Sequence, residues 1–485
     1  MKGIKLTIGI AISTIPLLHA AKKAPMNVLM ICVDDMNQYG ANKLYPLCKT
    51  PYLDKFKERV IQFVNGASNS PVSNPSRSSF FTGLYASSTG AYINGSDGWN
   101  RSELMKSVRS MPEVFKDNSY TTFAVGKVFH NQVETAREKG MWDNYPYFQG
   151  GFGPFPEKEF WIGGSQFSSI KPWTGPDTDF PDVVNANSTI DFLNQDHEKP
   201  FFAYYGLWRP HTPYTAPKRF FEMYNEDDFT LPKDYKANDL DDVPELGCLL
   251  VDSLNNYRNR PIEFEKLYTK FIYAYCANYS FADWNLGRVI EALDKSKYAQ
   301  NTIVIFFSDN GYHTGSKLRW EKATLWEQAD NIPFMVRTPE QKQAVSKATI
   351  SLVDIFPTLI DYCGLKKPNQ QIDGHSFAYL LQKPSAKWKY PAFSMYGVEY
   401  SSVRNERYRY ICYPDGTEEL YDHAVDPYEF TNIAAVIKNK PIIEKLKKNI
   451  PTKWAPSTGG RLEVPRDMKK TLRPATKWDS IKPIS

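Results

Sequence analysis

The chain has 485 residues, of which 42% are hydrophobic and 23% charged, a balance that supplies a large core and excludes disorder, collagen and coiled coil. Its net charge of +5 is spread without a sustained basic run, so nothing marks a nucleic-acid partner. Aromatic residues make up 14%, which suits core packing and also ligands with flat apolar faces such as sugar rings.

At about 150 residues per domain the length allows three domains, and one large α/β domain with an appendage fits equally well. Lys2 and Lys5, the apolar run from Leu6 to Leu18 and the small pair Ala20-Ala21 read as a secretory signal peptide over 1–20. Export to the periplasm, or secretion, is therefore expected. Pro16 interrupts that run and no later segment reaches the length of a membrane span, so none is expected. Runs rich in Val, Ile, Phe and Tyr predict strands at 28–33, 120–125, 201–207, 302–307 and 332–336. Helical patterns alternate with them at 53–64, at 183–193 and along the stripe Phe271, Tyr275, Tyr279, Leu286, Ile290 and Leu293. This alternation predicts an α/β domain over 21–387, with a large, mostly parallel sheet sandwiched by helices. Farther on, strand-like pieces at 407–412 and 418–421 flank the turn sequence Pro414-Asp415-Gly416-Thr417. They predict a C-terminal subdomain over 388–485 with a small antiparallel sheet, a helix near 442–449 and a tail that wraps the surface. The six cysteines contain no Cys-x-x-Cys pair, which argues against a zinc knuckle or a disulfide scaffold. Cys32 and Cys276 sit in apolar runs and read as buried thiols.

Each main strand is followed by polar residues: Asp34-Asp35 after the first, Lys127 and His130 after the second, Arg209-Pro210-His211 after the third, Asp309-Asn310 after the fourth. Ligands of open α/β sheets bind beyond the carboxyl ends of the strands, so these groups are expected to converge. Asp34, Asp35, Asp309 and Asn310 together offer four hard oxygen ligands for a divalent cation, although either pair alone is equally a turn or a helix cap. In Ser73-Asn74-Pro75-Ser76-Arg77, Pro75 and Ser76 read as a helix start that leaves Ser73 just ahead of an anion-favouring N-terminus, with Arg77 pointing back. Taken singly the pentapeptide is a Ser-rich cap, Lys127 and Lys322 are surface lysines and His130 is a core histidine.

As a set, these segments resemble the type I sulfatases, whose signature is Cys or Ser, any residue, Pro, Ser, Arg, then Thr-Gly, matched here by Ser73 to Arg77 and Thr82-Gly83. The resemblance runs from Asn27 to Leu420-Tyr421-Asp422 and Asp426-Pro427. Gly126 to His130, Arg209 to His211 and Trp320-Glu321-Lys322 are similar to the iduronate-2-sulfatase-like branch. It implies an alkaline-phosphatase-like fold, one Ca²⁺ held by Asp34, Asp35, Asp309, Asn310 and residue 73, and conversion of Ser73 to Cα-formylglycine. By the same resemblance the hydrated aldehyde attacks sulfur with its charge stabilised by Arg77, and His130 takes the diol proton that expels sulfate. His211 serves the leaving alkoxide, and Lys127 and Lys322 clamp the sulfate oxygens. Serine in place of cysteine implies a serine-type radical maturation enzyme that works before export.

The activity implied is a sulfatase acting on a sulfated polysaccharide or its oligosaccharides, namely algal ulvan or carrageenan, or glycosaminoglycan uronate 2-O-sulfate. Trp99, with Trp142, Tyr145, Trp161 and Trp173, lies in Gly- and Pro-rich stretches and reads as a sugar platform or as loop packing. His313 reads as a second candidate substrate contact. Two alternatives stand beside this reading: a phosphate or phosphonate ester hydrolase on the same fold, and a glycan-binding homologue without turnover.

Overall fold

The computed structural model describes residues 25–130, 136–145, 151–160, 162, 166–252 and 261–459. The segment expected to be a signal peptide, Trp161 and the tail beyond 459 lie outside the described residues.

Seven strands build the central sheet: β1 (Asn27–Val33), β2 (Ile61–Phe63), β3 (Thr121–Gly126), β4 (Phe201–Leu207), β5 (Thr302–Ser308), β6 (Phe334–Arg337) and β7 (Ala344–Ser346). Their spatial order is β7-β2-β6-β5-β1-β4-β3. β5, β1, β4 and β3 run parallel, whereas β6 is antiparallel to β5 and β2. β1 is buried along its whole length and alternates between two cores, as a strand covered on both faces must. Leu29, Ile31 and Val33 face one core, and Val28, Met30 and Cys32 the other.

The first core is closed by α1 (Pro51–Lys57), α3 (Pro181–Asn194) and the long α4 (Pro261–Lys295). The second is closed by α2 (Ser73–Thr82) and α5 (Ile355–Cys363). The helix expected over 53–64 is in fact two elements, because α1 stops at Lys57 and Ile61–Phe63 forms β2. Ile61 and Phe63 are buried and Gln62 half-buried, an alternation too short to stand out from a helical pattern.

The C-terminal sheet is an antiparallel meander of β8 (Ala392–Met395), β9 (Ser401–Arg404), β10 (Tyr408–Cys412) and β11 (Glu418–Asp422). Gly416, at φ 85°, supplies the left-handed position in the β10–β11 turn. A helix at Lys440–Lys447 buries Ile443 and Leu446 against this sheet. All six cysteines are free thiols. Among the described residues no helix is long and apolar enough to cross a membrane.

Candidate active site

Four neighbouring parallel strands end level with one another. Val33 stands opposite Ser308 and is paired beside Leu207, and Gly126 stands opposite Gly206. The residues just beyond them therefore leave the sheet at a common edge, where an open α/β sheet binds its ligands. Asp35 adopts φ 62°, a left-handed conformation costing about 1–2 kcal/mol for a residue with a side chain. It is held there from both sides: its N–H donates to Asp309 Oδ1 (3.3 Å) and its carbonyl accepts from the Tyr275 hydroxyl (2.7 Å). Gly126 turns at φ 77°, and a Cβ there would stand 1.9 Å from the Gly206 carbonyl oxygen. The close approach lets Lys127 N–H donate to that carbonyl (3.1 Å) as the chain swings toward Asp34.

α2 starts at Ser73 itself, with Pro75 third, rather than at Pro75 as expected. No side chain caps it, and every residue in it is buried. Ser73 has no exposed surface; its Oγ donates to Asp34 Oδ1 (3.1 Å) and accepts from Lys127 Nζ (3.2 Å). Lys127 Nζ also donates to Asp34 Oδ2, and Lys322 Nζ donates to Asp35 Oδ1. Arg77 Nε donates to Asp309 Oδ2 (2.9 Å), and Nη1 donates to the Lys127 and Val128 carbonyls and the Tyr204 hydroxyl. Its Nη2 lies 3.7 Å from Asp34 Oδ1 and makes no hydrogen bond. His211 Nδ1 lies 2.8 Å from the Thr212 carbonyl, which assigns the ring proton to Nδ1 and turns Nε2 toward Asp35 Oδ2 at 3.5 Å. The Nδ1 atom of His130 is buried without a partner.

Asp34, Asp35 and Asp309 each present an oxygen, all within 4.8 Å of one another, and Asn310 Oδ1 is buried without a hydrogen-bond partner. Burial pushes Asp35 up to about 7, with Asp34 and Asp309 adding to the rise against Lys322, and burial raises Asp309 as well. Burial acts on Asp34 in the same sense, yet Lys127, His211, Lys322 and Arg77 hold it well below the usual carboxylate range. Three carboxylates here face two ammoniums and one guanidinium, and it is burial that chiefly opposes their charge. Three carboxylates and an orphaned amide oxygen form a hard oxygen set, and the residues fit a divalent cation of the Ca²⁺ kind. Burial, followed by nearby lysines, keeps His130 and His211 well below the ordinary imidazole value, so both rings are neutral here.

Aromatic rings wall this cluster. Lys127 Nζ lies 5.4 Å from the Trp208 ring and 5.5 Å from Phe152, and Phe152 packs on the His211 ring at 4.4 Å. Asp182, near the start of α3, accepts from the N–H groups of Trp208 (2.7 Å) and Arg209 (3.0 Å). The Arg209 guanidinium in turn donates to the carbonyls of Phe152 (2.8 Å) and Thr215 (2.9 Å). These two side chains shape the turn that presents His211. Sequence reasoning missed Asp182, whose Pro181-Asp182 context is that of any helix start.

Two expected substrate contacts are corrected. Trp99 is buried against Phe129 (5.7 Å), with the Arg137 guanidinium over its ring, so it packs a loop onto the core. His313 is wholly buried, and its nitrogens bond Ser316 Oγ and Thr324 Oγ1, both at 2.7 Å, which leaves none for a ligand. Trp142 likewise belongs to the core, whereas Tyr145 and Trp173 are half-buried.

The family model described as Sulfatase matches residues 26–365, and that described as N-sulphoglucosamine sulphohydrolase, C-terminal, matches 315–455. The chain is 35% identical over 446 residues to a sulfatase of Formosa agariphila, covering 88% of this chain and 86% of that one. It is 25% identical to an ulvan-active sulfatase of the same organism, with 84% and 76% covered. To iduronate 2-sulfatase of Homo sapiens it is 26% identical, with 71% and 70% covered. A phosphonate monoester hydrolase of Agrobacterium radiobacter shares the fold at a TM-score of 0.70 and 20% identity, covering 87% of this chain and 94% of that one. The segment from Ser73 to Arg77, set at the head of a buried helix against three carboxylates, lies inside the matched span: the chain belongs to the sulfatase family, enzymes that hydrolyse sulfate esters.

Proposed function

We propose that the substrate is a sulfated polysaccharide or its oligosaccharides, cleaved with residue 73 as Cα-formylglycine and one Ca²⁺ on Asp34, Asp35, Asp309, Asn310 and residue 73. The observation that carries this reading is the convergence of Ser73, an electron-rich oxygen trio, two lysines and two neutral imidazoles at one sheet edge. Oxidised and hydrated, residue 73 would supply a geminal-diol nucleophile, and Ca²⁺ would supply positive charge beside it.

The chain's own side chains do the rest. Arg77 sets a fixed cation, Nη2 foremost, beside Asp34 Oδ1, the atom that accepts from the hydroxyl of residue 73. Lys127 and Lys322 carry mobile ammoniums on long stems, able to turn from Asp34 and Asp35 to the oxygens of a bound sulfate. His211 is anchored through Nδ1; once the negative charge of a bound sulfate ester, opposing burial, has drawn a second proton from solvent onto Nε2, the imidazolium gives that proton to the leaving oxygen and returns to the neutral ring. His130, through its unpartnered Nδ1, takes the proton from the second hydroxyl of residue 73. Trp208 and Phe152 exclude water and strengthen each of these charges. We further propose that a serine-type maturation enzyme modifies Ser73 and that the chain is exported through residues 1–20 to the periplasm or beyond.

The ulvan-active and iduronate relatives support a sulfated glycan as substrate. The test is sulfate release from ulvan, carrageenan and glycosaminoglycan oligosaccharides by protein co-produced with a serine-type maturase, with phosphate release from matched aryl esters measured in parallel. Release from one glycan, absent in Ser73→Ala, is expected. No sulfate release from any of them, with formylglycine confirmed by peptide mass, overturns the glycan assignment, and faster phosphate release moves it to the phosphoester reading.

A further inference from the structure

We propose a second saccharide site, for an anionic, sulfated glycan, on the surface where the α/β domain passes into the C-terminal sheet. A cavity of about 410 Å³ there is lined by His375, Ser376, Tyr379, Lys387, Lys389 and Tyr390. It shares no residue with the catalytic cluster. The choice of a glycan rests on the proposed function; the shape and charge of the cavity do not.

Two properties point to this ligand. The first is a set of rings held in place. His375 and Tyr390 stack at 3.6 Å with 16° between their planes, and Trp388 packs edge-on against Tyr390 at 5.1 Å. Trp388 Nε1 donates to the Thr349 carbonyl and the Tyr379 hydroxyl donates to the Lys387 carbonyl, both at 2.9 Å. Rings fixed before binding lose little entropy when a sugar face settles on them. Tyr379 keeps 45% of its surface exposed, which core packing does not explain.

The second is unbalanced positive charge. No carboxylate lines the cavity, and neither Lys387 nor Lys389 is ion-paired among the described residues. The nearest acid to His375 in sequence, Asp373, is taken up by the Tyr85 N–H, Ser88 Oγ and Gln371 Nε2. The Lys389 ammonium lies 4.9 Å from the centre of the Tyr390 ring, which holds it at the cavity without an acidic partner. An apolar ligand would leave the charge of both lysines unmatched, and a neutral sugar would use only the rings. Rings and two cations that no carboxylate pairs together match a sugar carrying sulfate. Held here, a polymer would raise the local concentration of sulfate esters around the enzyme without touching the chemistry.

The test compares the matured enzyme with Lys387→Gln/Lys389→Gln and with Tyr379→Ala, by affinity electrophoresis in gels of ulvan, carrageenan or heparin and of each polymer after desulfation. A control, Lys366→Gln/Lys367→Gln, removes the same charge from another exposed lysine pair. Polymer affinity is expected to fall about tenfold in the first variant and measurably in the second, with an unchanged melting temperature and unchanged turnover of short sulfated saccharides. The proposal is overturned by undiminished affinity in both variants, by an equal loss in the control, by equal retention on desulfated polymer, or by no retention of the parent enzyme on any polymer. Turnover of the short saccharides reads the catalytic assignment separately, so either reading can fail alone.

Discussion

The molecule buries one cluster of acids and bases at the sheet edge and another at the seam with the C-terminal sheet, and they are built on different plans. At the sheet edge, Asp34, Asp35 and Asp309 face two lysine ammoniums and an arginine with an idle Nη2. At the seam with the C-terminal sheet, Arg409 on β10 is wholly buried. Its Nε donates to Glu429 (2.7 Å), Nη1 to Asp330 (2.6 Å) and Nη2 to Glu327 (2.5 Å). Arg404 and His423 add further bonds to Glu327 and Glu429. Although Glu327, His423 and Glu429 sit close enough to hold a metal, their oxygens are turned to planar guanidiniums that fix them in place. At the seam, carboxylates held by planar guanidiniums fasten one part of the chain to another; at the sheet edge, two of the carboxylates are held by single ammoniums at the strand ends, which leaves oxygens free for chemistry.

The largest effect should come from the cluster at the sheet edge. Asp309→Ala removes a predicted ligand and the partner of Arg77, and sulfate release should fall by about 10³-fold or more, with added Ca²⁺ expected to raise the melting temperature of the parent and not of the variant. Calorimetric titration of both proteins with Ca²⁺ would check this, and equal binding would break the contrast. Arg409→Ala should do the converse. It strands three buried acids and is expected to cost about 3–5 kcal/mol of stability, read from denaturant midpoints, while kcat per folded molecule stays near that of the parent.

A smaller effect is expected for Asp182→Asn, which keeps an acceptor but weakens the hold on the Trp208 and Arg209 N–H groups. Turnover should drop by about tenfold with the fold intact, as judged by the melting temperature. The smallest concerns acid. Burial would raise Glu327, but Arg404, His423 and Arg409 hold it well below the ordinary glutamate value, and Arg409 leads His423 in lowering Glu429. A depressed carboxyl contributes its full stabilisation above the unfolded-state value of about 4.3 and loses it as the pH falls through the folded-state value. Stability should therefore decline below about pH 4.3, and less steeply in Glu327→Gln when the midpoint is followed against pH.

Much of the candidate site was legible as a place where polar residues gather, because buried parallel strands are apolar runs, and a polar residue at the end of such a run is conspicuous. Asp34-Asp35, Lys127 and Asp309-Asn310 stand directly after their strands, and His211 stands a few residues past its own. β2 was not legible, since three residues carry too little alternation to separate strand from helix. Trp99 and His313 misled because a Gly-rich neighbourhood describes the local chain and not the segments that later pack over it. The Arg409 network left no trace: the strand-like run over 407–412 says nothing of what its arginine meets, and the three acids lie at 327, 330 and 429. Asp182 escaped for the same reason, its partners being the backbone of a distant turn.

Ser73 has no exposed surface in the folded chain, at the first position of a helix enclosed on all sides. A modifying enzyme that must grip this serine has to do so while the polypeptide is still open. Under the maturation proposed above, folding would therefore act as a clock: molecules that close too early would be sealed with an alcohol at position 73, and no later encounter with the maturase would rescue them. The active fraction of any preparation would then record the outcome of a race between oxidation and collapse, a ratio set by synthesis conditions and untouched by anything done to the purified protein.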